Sequence, residues 1–83
     1  LNNQSFNDTK PTISPNPFVS TINIEPNDNI STYSIFDVTG KQISKTSSKV
    51  DFDNKTEKLN SGMYLLKIDF ENGEFYNQKL IKN

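Results

Sequence analysis

Apolar and polar positions alternate along this chain in short runs, and Gly, Pro, Asn and Asp break the runs at close intervals. A period of two predicts strands rather than helices, and no amphipathic helix is expected anywhere. In "VSTINIEPNDN", Ile22 and Ile24 alternate with Thr21, Asn23 and Glu25 until Pro26, Asn27 and Asp28 turn the chain. This is the pattern of a half-buried strand. In "TYSIFDVTGKQI", Tyr33 and Ile35 fall on one face and Phe36 and Val38 on the other, as for a strand covered on both sides. Thr39 and Gly40 then reverse the chain, Gly40 supplying a positive φ without a Cβ penalty. "KQISKTSS" returns as a polar edge strand whose lysines discourage pairing with another chain. "VDFDNKTEKL" offers only a short alternation at Val50 and Phe52.

The last stretch, "LNSGMYLLKIDFENGEFYNQKLIKN", is the best patterned. Termini fray unless tied down, so such an end is expected to be held in a sheet or read by a partner. Asn60, Ser61 and Gly62 make a turn, and two strand-like runs then flank Asn72-Gly73, a signal for a two-residue hairpin. A type I′ turn would pair Phe70 with Phe75, Ile68 with Asn77, Leu66 with Lys79 and Tyr64 with Ile81. Leu65 would face Leu80 on the other side. About seven short strands without helices predict a small all-β antiparallel sandwich, with the final hairpin supplying two of its central strands. Ile22, Ile24, Ile35, Leu66, Ile68 and one of Leu80 or Ile81 are its expected core.

With 83 residues, this is one small domain with a modest core, and a deep catalytic cleft is not expected. Residues 1–10 are polar around an isolated Phe6 and read as a linker, with the folded unit spanning 11–83. A chain beginning at Leu1 is expected to be a piece of a longer polypeptide, with any signal peptide upstream. Lys is the strong base and nearly balances Asp plus Glu, for a net charge of −1. No basic stripe for nucleic acid results. No apolar run approaches the ~20 residues of a membrane-spanning helix.

The sequence contains neither His nor Cys, so Ser-His-Asp, Cys-His and zinc constellations cannot be assembled. No cofactor, metal or enzymatic activity is expected. Asp51 and Asp53 could form a carboxylate pair, and with Glu57 they loosely suggest a calcium loop, but the central Gly of such a loop is absent. A solvated face accounts for them better. Gly40, Gly62 and Gly73 are isolated, as turn residues are, and make no phosphate cradle. Tyr33, Tyr64 and Tyr76 could line a sugar platform, although aromatics alternating along strands weigh towards core.

Taken together, "SPNPF", "IFDVTGKQI", "LNSGMYLLKI" and the closing "KLIKN" resemble the type A C-terminal sorting domain of the bacterial type IX secretion system, over about residues 14–83. The resemblance carries onto Pro15, Asn16 and Pro17 the family's opening motif, and onto Asp37 and Gly40 its Asp-x-x-Gly turn. Leu59, Gly62 and Tyr64, with Lys67 downstream in the same run, match its Leu-x-x-Gly-x-Tyr segment. Lys79, Leu80, Ile81 and Lys82 match its terminal basic-apolar strand. Phe18 departs from the family, standing where a small aliphatic residue is common.

The resemblance implies an immunoglobulin-like sandwich acting as a non-catalytic address on a secreted cargo of Bacteroidota-type bacteria. It implies as partners an outer-membrane translocon and a sortase-like protease, passage through the periplasm, and a final place at the cell surface or in the medium. Gly40 and Gly62 are expected to serve folding, and Lys82 to be an exposed end residue whose charge scarcely affects stability. An accessory adhesion or carbohydrate-binding module is the alternative.

Overall fold

In the computed structural model, which describes residues 11–25 and 29–83, the strands are β1 (Thr12–Ser14), β2 (Asn23–Glu25), β3 (Ile30–Asp37), β4 (Gln42–Thr46), β5 (Gly62–Phe70) and β6 (Phe75–Lys82). One helix, α1 (Lys49–Lys58), lies between β4 and β5. All pairings between these strands are antiparallel: β1 with β2, and the order β4-β3-β5-β6 in a larger sheet. The two sheets pack as a sandwich, the all-β, immunoglobulin-like class expected. Six strands stand among the described residues, in keeping with the six or seven that the pattern allows. The expected linker at 1–10 and the turn at Pro26–Asp28 lie outside them.

The larger sheet buries one face. Tyr33 and Ile35 on β3, Leu66 and Ile68 on β5, and Leu80 on β6 meet Ile22, Ile24, Phe18 and Phe52 in a single core. Every residue of the expected core is there, with Leu80 rather than Ile81 facing inward. Phe18, Tyr33 and Phe52 complete it. Phe52 is fully buried, stacked on Tyr33 with ring centroids 4.9 Å apart, and burying a side chain of that size contributes roughly 1.5–3 kcal/mol.

The helix overturns the expectation of an all-strand chain. Its signals are in its caps rather than in its apolar period: the Ser48 side chain accepts from the Asp51 amide, and Lys55 and Lys58 occupy the last turn. Only Phe52 and Thr56 are buried along it, too few to mark a helical face in the sequence. Lys49 fastens α1 across the sandwich, donating to the Ile22 carbonyl at 3.2 Å and to Asp53 at 2.7 Å.

Two further expectations are corrected by the register. The last hairpin has a three-residue loop, because Phe70 N–H donates to Glu74 O (2.8 Å) and Gly73 N–H to Phe70 O (3.0 Å), with Gly73 at φ +94°. This is a type I turn closed by a glycine bulge. Its extra residue shifts β6 by one position, so Tyr64 pairs with Leu80, Leu66 with Gln78, Ile68 with Tyr76 and Met63 with Ile81. A one-residue shift exchanges the faces of a strand, and so Leu80 turns into the core and Ile81 out of it. The hairpin also contributes only β5 to the interior of the sheet, since β6 is an outer strand. β3 is covered on one side, with Phe36 half-buried and Val38 exposed.

Asp37–Lys41 repeats the same loop, Asp37 N–H donating to Lys41 O and Gly40 N–H to Asp37 O, with Gly40 at φ +91°. Gly62 opens β5 at φ +152°, and a Cβ there would meet nothing within 4 Å. Any penalty at this position therefore comes from the backbone. Gly62→Val should cost about 1–3 kcal/mol, read as a thermal midpoint lowered by ~4–8 °C for each kcal/mol in a domain of this size. An unchanged midpoint would refute the need for glycine at the start of β5.

Candidate recognition surface

Apart from Lys67, the residues of these motifs come together at one end of the larger sheet. Asp37 pairs with Tyr64 on β5, Tyr64 with Leu80 on β6, and Gly62 with Lys82, so the ends of β3 and β6 flank the start of β5. Asn16 and Phe18 then close the free side of β6. The Asn16 amide donates from Nδ2 to Lys79 O (2.8 Å) while its Oδ1 accepts from Ile81 N–H (3.0 Å). A side-chain amide has the same donor and acceptor as a peptide group, so Asn16 pairs with the strand as a neighbouring backbone would. Phe18 continues the pairing with its own backbone, donating to Ile81 O and accepting from Asn83 N–H, each at 2.8 Å. Pro15 and Pro17 bracket Asn16, both after cis peptide bonds, and leave it exposed at this edge.

Lys82 is not the exposed end residue expected. It is only 7% exposed, and its ammonium donates to Thr56 O at 2.6 Å and to Glu57 O at 3.1 Å. These carbonyls belong to the last turn of α1, where Thr56 O also accepts from the Leu59 N–H (3.3 Å) and the negative end of the helix dipole favours a cation. The Phe18 ring lies beneath the ammonium, 5.4 Å from its centroid. Thr56, Glu57 and Phe18 thus surround Lys82, a role that sequence reasoning assigned to none of them, because backbone carbonyls and a ring face leave no motif.

Asp37 and Tyr64 are also turned to structural work. Asp37 Oδ1 accepts from the Thr39 amide (2.9 Å), the Thr39 hydroxyl (2.6 Å) and the Lys41 amide (3.0 Å). These bonds, the Thr39 hydroxyl first and the Lys41 amide next, hold its carboxyl below the usual carboxylate range. Tyr64 donates its phenolic hydrogen to Asn60 O at 2.8 Å, tying the turn before β5 to the strand it starts. Leu59 packs half-buried against the core at the end of the helix. Lys67 stands apart at mid-sheet, 3.8 Å from Asp69 and over the Phe75 ring at 4.9 Å.

The arrangements weighed for catalysis and sugar binding do not form. Asp51 and Asp53 lie two residues apart on α1 and so do not face each other, and Asp53 is paired with Lys49. Among the described residues no group of His, Cys, Asp and Glu is placed to hold a metal. Tyr33 is buried under Phe52, which together with the Asp53 charge raises its phenol above the ordinary range, the loss of solvent being the larger cause. Tyr64 and Tyr76 share the inner face of the sheet and are half-buried, so the tyrosines make no open platform.

Residues 12–83 match the family model described as a secretion system C-terminal sorting domain. No curated protein and no solved structure matches the chain.

Two measurements test this end of the sheet. Lys82→Met keeps the apolar stem and loses the charge-assisted bonds, and should cost about 1–3 kcal/mol in urea unfolding. Lys82→Glu should cost more, because it sets a carboxylate against two carbonyls and the negative helix end. Equal midpoints for Lys82→Glu and the wild type would refute the cap. Asp37 has a folded pKa below its unfolded one, so its contribution is complete above roughly pH 4 and is lost as pH falls through the depressed value. The thermal midpoint of Asp37→Asn should therefore lie below that of the wild type at pH 7, and the gap should close in strong acid. A gap independent of pH would show that the charge is immaterial.

Proposed function

The chain belongs to the family of secretion system C-terminal sorting domains, and from that membership we propose that it is a non-catalytic signal carrying its cargo through an outer-membrane type IX translocon. The family places it within a secreted cargo protein, addressed to the cell surface or the medium. In this reading residues 1–10 link the domain to the cargo, the cargo crosses the periplasm with residues 11–83 folded, and a sortase-like protease removes the domain on export. The observation that carries the proposal is the family match over residues 12–83. The absence of His and Cys from the sequence supports a role without catalysis. An adhesion or carbohydrate-binding role finds no comparable support, with Tyr33, Tyr64 and Tyr76 turned inward.

The test is a signal-peptide-bearing reporter fused to the 83-residue chain, expressed in wild-type and translocon-deficient hosts and assayed in periplasm, cell surface and medium. Export should occur only in the wild type. Deleting Lys79–Asn83 removes Leu80 from the core and Lys82 from the helix end, and leaves Asn16 without its strand partner. Folding and export should then fail together. Equal export from both hosts, or normal export of the truncated fusion, would reject the assignment.

A further inference from the structure

We infer that the outer face of the larger sheet, at the end where the motif residues gather, is the docking surface for a protein partner with an apolar centre and an acidic rim. This rests on the sorting role and specifies which surface that role uses. On this face Met63, Leu65 and Ile81 are 47, 44 and 37% exposed, and Phe36 is half-buried beside them. Register makes them one patch: Phe36 is opposite Leu65, Leu65 opposite Lys79, and Met63 opposite Ile81. Contiguous exposed apolar residues on a small domain mark an interaction site more often than scattered ones do.

The type of docking follows from what flanks the patch. Strand addition to β6 is closed, since Asn16 and Phe18 already take backbone groups of Lys79, Ile81 and Asn83 along that side. A partner at this end therefore meets side chains on the face. Lys79 lies within the patch and Lys67 next to it, whereas Asp69, the acid sharing this face, is 3.8 Å from Lys67. Carboxylates on the partner complement this arrangement. A second copy of the chain would bring lysines against lysines, which selects against self-pairing.

The experiment uses the reporter fusion with Met63→Thr/Leu65→Thr, which keeps strand-favouring residues, and separately with Lys79→Glu. The Lys79 residue enters the clasp through its backbone carbonyl alone, so this second variant retains the fold if the first does not. Folding is checked by circular dichroism and thermal unfolding of the purified domains. With melting unchanged, each should lower translocon-dependent export by roughly tenfold or more, while Val50→Thr on the exposed side of α1 leaves it intact. Failure of the unaltered fusion to be exported would sink the sorting role itself. Export of the unaltered fusion with both face variants exported normally would sink only the docking surface, as would an equal loss from Val50→Thr. Two further results would replace the partner: dimerisation in sedimentation, or flotation with phosphatidylglycerol vesicles, if Met63→Thr/Leu65→Thr abolishes it.

Discussion

The ammonium of Lys82 against the carbonyls of Thr56 and Glu57 is the contact on which the organisation of this domain turns. A cation held away from water is tolerated only where hydrogen-bond acceptors replace its hydration. Here the acceptors come from the end of α1, the cation from the end of β6, and the covering ring from Phe18. None of these satisfies its neighbours unless all are in place. The helix supplies Phe52 to the core, so Lys82 holds the end of the same helix whose ring stacks on Tyr33. In a chain this small, with a core of few large side chains, that coupling makes folding depend on segments far apart in the sequence.

Asn16 extends the coupling to the outside of the sheet. An outer strand ordinarily exposes a row of unpaired backbone groups, which invites pairing with other chains. The Asn16 amide and the Phe18 backbone occupy that row from Lys79 to Asn83, and the turn geometry at Asp37 and Gly62 sets where the flanking strands end. The edge strand is thereby finished without another full strand.

Most of the fold was legible because alternation has a direct physical cause: one face of each strand must leave water. Ile22, Ile24, Ile35, Leu66 and Ile68 were identifiable on that ground and are buried. What alternation cannot give is the number of residues in a turn. Asn72-Gly73 signals a turn equally well when Gly73 closes a three-residue loop, and that single residue decides whether Leu80 or Ile81 faces inward. The helix was hidden for a different reason: its buried face is Phe52 and Thr56, and its formation rests on the Ser48 cap and on Lys82, which lies 26 residues beyond Thr56. Pattern reading is local, and that contact is not. The motif residues themselves were recognisable only through family resemblance, since nothing in "SPNPF" announces that an asparagine side chain will stand in for a strand.

Five of the motif residues act inward, whereas Lys67, Lys79 and Ile81 face out. Asn16 spends its amide on β6, Asp37 its carboxylate on its own turn, Tyr64 its hydroxyl on Asn60, and Lys82 its charge on α1, while Leu80 is buried. Groups already satisfied within the domain have little left to offer a partner. Their consequence is instead positional: they hold the ends of β3, β5 and β6 together at the edge where Phe36, Met63, Leu65 and Ile81 lie side by side on the opposite face. A sequence signature of this kind specifies a shape, and the face that the shape presents combines motif residues, Lys79 and Ile81, with residues outside the motifs, Phe36, Met63 and Leu65. Exposed strand positions tolerate substitution that buried and capping positions do not, so the chemistry of this face can change without loss of the fold.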